Sequence, residues 1–497
     1  MLNLLIFLPL IASFAILILN RGGIKIFSVF FSFLIFCLNL KLFIEYKGVG
    51  IDYEYILDGF NLFETFIYHI GVDSIALLLM LLCSLMIFLS FLFLKIENKS
   101  IVFCIFILEF AIMGLFSSLN ALMFYVFWEF SLIPLIYISG VYSKDFKVSI
   151  KFFIYAFFGS ILMLVAMIYL AYYYYKVSGV FTFDIIIWIG NFYTLPVNLQ
   201  IILFLAFFIA FAIKAPLFPL HTWAPKMYAN SPVIVSVMLV SFKMAPFGFL
   251  RFCLPLFPDA SVYFLPLIIA LCIVSIVYCA LIAFKSTNIK ELIAYSSISH
   301  IGVMILGIFS LNSLGISGAI FYMFAHGIVT GAMFLMSESL RTRFDTLEIS
   351  NYHSLAKSSP LFAVLFFIVL LAGVSLPLTI SFVGEFLVLL GIAKQNLLYA
   401  LLAGSIVILS AIYMLNLFRN MFFMEKQGNF ASFKLKTREI LALIPVVFLI
   451  FYLGIAPNTI LNNIEKNTSF LLEVMQYKAI DFDTKIFLNK LKGDVNA

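Results

Sequence analysis

Two lysines, Lys214 and Lys243, stand inside long apolar runs, where a charge needs a reason to be. Three carboxylates, Glu109, Glu129 and Glu385, and two histidines, His300 and His326, are placed in the same way, and His221 closes the run that holds Lys214. Each of these groups can take up and return a proton. An ammonium at the centre of a bilayer costs about 2.5–3.5 kcal/mol on insertion scales, so it persists where it meets a partner or water. A Glu129–Lys214 pair would hold a proton on the amine, and separating the pair would release it. Proton carriage is therefore the chemistry these residue types support. A sodium site would favour clustered oxygen ligands, whereas basic groups dominate here. Blander readings exist for some of them. Lys243 could snorkel to an interface, His326 could be a helix–helix contact, and Glu109 a protonated packing group. His69 and His353 fall between the runs and read as solvated.

The elements that carry these residues must be membrane helices. The 497 residues are 64% hydrophobic and 11% charged, against about 25% charged in average soluble domains. The apolar residues come in runs of roughly 20, the length that crosses the hydrocarbon core as a helix. Fourteen such runs are expected, from 2–20 to 438–456. The first lacks a basic leader and a small-residue cleavage site, so it reads as a retained helix. The six cysteines lie in apolar runs without a C-x-x-C pair, which gives no metal, haem or disulfide framework. The formal net charge of +6 suits loop asymmetry better than nucleic acid, and no nucleic-acid partner is expected. Lysines and arginines crowd alternate loops, such as Lys95–Lys99, Lys144–Lys151, Lys285–Lys290 and Arg419–Arg438. The opposite side has few, and its 45–72 loop is acidic (Glu45, Asp52, Glu54, Asp58, Glu64). The basic loops should face the cytoplasm or matrix, with both termini on the periplasmic or intermembrane-space side. Residues 459–477 have apolar positions at helical spacing and predict an amphipathic helix that docks on a neighbour.

Prolines punctuate two of the runs. Pro216 and Pro219 follow Lys214, and Gly373 to Pro377 precedes Glu385. Proline removes a helix hydrogen bond, and freed backbone at membrane depth survives only beside protein or a water-filled cavity. Runs four to eight and nine to thirteen then form two five-helix units, each broken in its fourth helix. Five is odd, so the second unit is inverted. The expected fold is an all-α membrane protein of about 14 transmembrane helices with two inverted five-helix repeats. The divisions are 1–100, a three-helix segment with the acidic loop; 101–254 and 261–420, the repeats; 421–456, a loop and the last span; and 457–497, an outer tail.

Particular stretches resemble a known family. Phe127-Trp128-Glu129-Phe130-Ser131-Leu132-Ile133-Pro134, Phe211-Ala212-Ile213-Lys214-Ala215-Pro216 and Phe242-Lys243-Met244-Ala245-Pro246 are similar to motifs of the antiporter-like subunits of respiratory complex I. So are Ala294-Tyr295-Ser296-Ser297-Ile298-Ser299-His300 and Ala325-His326-Gly327, and the motifs occur in family order. Ser381-Phe382-Val383-Gly384-Glu385-Phe386 resembles the subunit 4/M branch, since sister subunits and related Na⁺/H⁺ antiporter subunits usually carry lysine in place of Glu385. Asn230-Ser231-Pro232 departs from the family, which often has an acidic stretch there. The resemblance implies a proton-translocating subunit of NADH:quinone oxidoreductase in the bacterial or mitochondrial inner membrane. It implies a path of Glu129 and Lys214 as an ion pair, then Lys243, His300 and His326, ending on Glu385. It further implies no cofactor in this chain, with NADH, FMN, iron–sulfur clusters and quinone elsewhere in the complex. The implied partners are other membrane-arm subunits, especially L/5 and N/2. The rival is a subunit of a multi-subunit Na⁺/H⁺ antiporter.

Overall fold

The structure is a computed structural model that describes residues 1–46, 54–63, 66–142, 146–190, 194–424 and 433–493. Asp52, Glu64 and Lys144, used in the charge argument above, lie outside the described residues. Among the described residues, twelve helices are long and apolar enough to cross a membrane, from Ile24–Glu45 to Thr437–Ile455. Two shorter apolar helices, Leu2–Ile18 and Pro360–Gly373, lie in the positions of the first and twelfth expected spans. Apolar side chains such as Ile26, Phe158, Leu401 and Ile408 are exposed on the outside of the bundle, as lipid-facing positions require. The interior is almost wholly covered, and the Ser313–Phe344 helix lies at its centre.

The two ends of the bundle differ in chemistry. At one end, Lys95, Tyr142, Asn230, Asn288, Lys290, Arg341 and Arg438 line a common vestibule, so the basic loops do share a face. At the other end, Arg251 pairs with Asp73 at 2.9 Å and His69 with Asp184 at 2.8 Å. The pairing of His69 corrects its reading as a solvated loop residue: it is buried and sits on a strand. The fold is not purely helical, because Glu54–Phe63 and Phe66–Val72 form an antiparallel hairpin where an acidic loop was expected. The two segments are rich in aromatic and β-branched residues (Tyr55, Ile56, Phe60, Phe63, Phe66, Ile67, Tyr68, Ile70 and Val72), which favour strands.

Residues Asn458–Lys478 are helical, as their periodicity predicts. Their destination differs from the expectation of a neighbouring subunit. Ile460, Leu461, Ile464, Leu471 and Met475 are buried within this chain, and Thr468 and Asn467 bond Ser317 and Ser74. Asp259 then accepts from the backbone N–H groups of Ile480 and Asp481, which pins the turn before the last helix, Phe482–Gly493. Lys478 donates to the Trp188 carbonyl, and burial pushes its ammonium down to about 8.

Close helix contact in the second half depends on glycine. A Cβ on Gly384 would lie 2.7 Å from Tyr322 Cβ and 2.8 Å from its Cα, and one on Gly318 would lie 2.6 Å from Leu387 Cβ. Small residues let membrane helices approach to backbone contact. Gly384 neighbours Glu385, so this packing also sets where that carboxylate stands. Gly384→Ala should cost about 1–3 kcal/mol of overpacking and lower the melting temperature of the detergent-purified protein. Gly404→Ala, whose added methyl would find its nearest neighbour 3.9 Å away, should leave it unchanged.

Candidate functional site: a buried chain of titratable groups

Helix breaks deliver the charged groups. The Val197–Lys214 helix stops at Lys214 because Pro216 has no N–H to continue it. The Ala212 carbonyl is taken by the N–H of Leu217 at 2.9 Å, and the Ile213 carbonyl by the Trp223 indole N–H at 2.9 Å. Both freed acceptors are thus satisfied inside the protein, with Lys214 at the break. The second break lies between Pro360–Gly373 and Ile380–Gln395, where Ser375 and Leu378 adopt left-handed backbone (φ 57 and 73). The Ser375 hydroxyl there donates to Glu385 Oε2 at 2.6 Å.

A third break corrects the expectation of a continuous eighth span. Val233–Ser241 ends, Lys243 turns left-handed at φ 41, and Met244–Gly248 resumes. Left-handed backbone costs a non-glycine residue about 1–2 kcal/mol. Pro246 explains it, since it cannot bond the Phe242 carbonyl. Likewise the span holding Glu129 divides at Ser131 into Ala121–Phe130 and Leu132–Tyr142, with Pro134 unable to bond the Phe130 carbonyl.

Glu129 and Lys214 do not touch as an ion pair among the described residues. Lys214 Nζ reaches Ser131 Oγ at 3.4 Å and lies 4.9 Å from the centre of the Trp128 ring. The Ser160 hydroxyl on the next helix donates to the Phe157 carbonyl at 2.9 Å, and Glu129 Oε1 is buried without a partner. Lys214 is thus held by a hydroxyl and an aromatic face rather than by direct contact with the carboxylate. Beyond Lys214, one cavity is lined by Lys214, Pro216, Trp223, Lys243, Pro246 and Ile301, and it joins the two lysines.

Lys243 Nζ lies 2.9 Å from His326 Nδ1. That bond survives whichever of the two holds the shared proton. The His326 and His300 rings are 5.8 Å apart, and both line a second small cavity with Tyr322, Ser296 and Ser381. Tyr322 Oη lies 2.6 Å from His300 Nδ1 and 2.8 Å from Glu385 Oε2. His300 Nε2, His326 Nε2 and Glu385 Oε1 are buried with no protein partner, positions where water can bond. The result is a chain of groups that can exchange protons, from Lys214 through Lys243, His326, His300 and Tyr322 to Glu385.

Two candidates stay off this chain. Glu109 is fully buried near Cys83, and neither of its carboxyl oxygens is hydrogen-bonded. His221 packs its ring against Phe218 and Tyr278. Tyr322, Ser131 and Ser375 escaped the sequence reading, which screened for charge. Tyr322 was accessible as the residue one helical turn before His326. Among the described residues no group of three or more His, Cys, Asp or Glu is placed to hold a metal ion.

Tyr322→Phe removes the hydroxyl that joins His300 to Glu385 and keeps the ring. It should slow proton transfer several-fold while leaving the fold intact. Proton uptake in vesicles beside a thermal melt checks this, and a parental rate would remove Tyr322 from the path.

Residues 118–413 match the family described as NADH:quinone oxidoreductase/Mrp antiporter, transmembrane. The chain is 38% identical to NADH-quinone oxidoreductase subunit M of Rickettsia prowazekii, over 92% of this chain and 95% of that one. It is 37% identical to NADH-ubiquinone oxidoreductase chain 4 of Chondrus crispus, over 94% and 97%. Its fold superposes on a chain of respiratory complex I from Thermus thermophilus with a TM-score of 0.89, at 31% identity, covering 96% of this chain and 100% of that one. A chain of an archaeal membrane-bound sulfane sulfur reductase superposes with a TM-score of 0.82 at 25% identity, covering 96% and 99%. By sequence over most of its length and by fold, the chain belongs to the NADH:quinone oxidoreductase/Mrp antiporter family of transmembrane subunits, among its subunit M and chain 4 members.

Proposed function

We propose that the buried chain of titratable groups is a proton path, with input at Glu129 and Lys214, transfer along Lys243, His326 and His300, and delivery through Tyr322 to Glu385. The protein is a proton-translocating membrane-arm subunit of NADH:quinone oxidoreductase, complex I, and redox chemistry in other subunits drives it. NADH, FMN, iron–sulfur clusters and quinone act in those other subunits. The observation that carries the path is the run of contacts from the Lys243–His326 bond at 2.9 Å to the Tyr322–Glu385 bond at 2.8 Å, reached from Lys214 through a shared cavity.

The finer organisation follows the same logic. Residues 101–254 and 261–420 are two five-helix units of opposite orientation within 14 crossings, and the proline breaks at matching rank support this. Residues 1–100 flank them, 421–456 supply the last crossing, and 457–497 form the outer tail. The basic vestibule faces the cytoplasm or matrix, and both termini lie on the periplasmic or intermembrane-space side of an inner membrane. Subunits L/5 and N/2 are its neighbours. A Na⁺/H⁺ antiporter role fits less well, because Glu385 stands where those subunits usually have lysine.

Mutation of the input pair tests the reading. Glu129→Gln leaves Lys214 without its facing charge, and Lys214→Ala removes the carrier. Either should cut proton uptake and the coupled quinone reduction several-fold in complex that assembles normally on a native gel. Lys214→Arg keeps charge but should still pump poorly, since arginine does not release its proton in a protein. If the residues were purely structural, the loss of activity would track the loss of assembly. Fully assembled Lys214→Ala complex pumping at the parental rate would sink the proposal.

A further inference from the structure

The vestibule at the basic end is an open recess of about 650 Å³. Most charges around it are neutralised in pairs. Arg341 lies 2.5 Å from Glu338, and Arg343 lies 2.6 Å from Glu439. Lys290 is different. It lines the vestibule yet is only 3% exposed. Its ammonium donates to the Ser231 backbone carbonyl at 2.6 Å, and no described carboxylate lies within ion-pair distance of it. Sequence reading placed it among loop charges, whereas it occupies the first turn of the Ile289–Ile308 helix, the helix that also carries His300.

The same helix face leads inward. Ser297 is seven residues beyond Lys290, two turns along and on the same side. Its hydroxyl is buried with no protein partner. One further turn along that face, Ile301 lines the cavity shared by Lys214 and Lys243. His300, beside Ile301, likewise keeps a buried Nε2 without a protein partner. Buried polar atoms are normally satisfied by protein or ordered water. These unpartnered atoms lie along one helix between Lys290, which lines the vestibule, and Ile301, which lines the cavity of the two lysines, and they mark a route that water can bridge.

We infer that Lys290 is a gate that admits protons from the basic-side vestibule to the cavity holding Lys214 and Lys243, along the Lys290–Ser297 face. The inference rests on the proton-path reading above and adds a second input to it. In one passage an Nζ–H bond of Lys290 breaks towards an inward water, and the amine takes a replacement proton from vestibule water. The number of protons on the lysine is restored. While protonated, the ammonium repels hydrated metal cations, so that only protons pass. The Ser231 carbonyl holds the amine in place without neutralising it, which a carboxylate would do.

The test uses the whole complex in sealed vesicles, with NADH and quinone supplied and proton uptake followed. Lys290→Met should slow uptake several-fold. Lys290→Arg is the deciding variant: it preserves charge and the donor to Ser231, and it cannot release a proton. A gate that relays protons fails in both variants, while a merely structural lysine is rescued by arginine. Ser297→Ala should slow uptake to a lesser degree, and a parental rate there removes the Ser297 route. Lys290→Arg complex that assembles and pumps at the parental rate, or that fails to assemble at all, overturns the inference. Lys214→Ala in the same preparation separates the two readings. If it loses pumping while Lys290→Arg does not, the gate alone is wrong. If neither loses pumping, the path itself is wrong.

Discussion

A backbone group that leaves its helix inside a bilayer has no water to turn to, and it must find another partner within the protein. Much of the functional architecture follows from that one obligation. Pro216 frees carbonyls at Lys214, and Trp223 and Leu217 supply the replacement donors. Pro246 frees the turn at Lys243, and Pro377 lies in the turn that carries Ser375. At Lys214 the repair combines a backbone N–H with the Trp223 indole, and at the second break the turn is closed by backbone bonds while Ser375 turns its hydroxyl to Glu385. The charged residue at that point then receives a polar setting that an intact helix would not provide. Interrupted helices and ionisable residues occur together because each makes the other tolerable.

Tight packing is the second requirement. A proton path works only where separations stay within hydrogen-bond length, and lipid-facing helices alone do not fix positions to that tolerance. Gly318 and Gly384 bring backbone against backbone around Tyr322 and Leu387. The end opposite the basic vestibule is tied by Asp259, which accepts from Gln200 and from the chain after Lys478 at once. The tail therefore serves as a strap across helices that are far apart in sequence.

The sequence disclosed much of this, and the gaps have physical causes. Apolar runs, the loop charge bias and two of the breaks were legible because each depends on local composition. The breaks at Lys243 and the bend at Ser131 carried the same proline signal, in Pro246 and Pro134, and were passed over inside runs that seemed uniform. The hairpin at Glu54–Val72 was hidden by its acidic residues. Tyr322 and Ser375 are neutral, so a search for charge could not find them. Lys290 sits at a helix start, where sequence cannot separate a loop charge from a buried one. The nearness of Glu129 and Lys214 was visible as a likeness, but the Ser131 hydroxyl that meets Lys214 depends on how separate helices pack.

Tyr322 imposes a final consequence. Its phenol owns one hydrogen and has two claimants, His300 Nδ1 at 2.6 Å and Glu385 Oε2 at 2.8 Å. When that hydrogen is committed to one claimant, the other bond must be supplied from the far side. After a proton crosses, the hydroxyl is left pointing the wrong way, and it must rotate back before another can follow. A phenol in this position is a turnstile: it passes one particle per rotation and cannot stand open. A membrane that stores energy as a proton gradient needs that property, because a continuously conducting wire would short-circuit it.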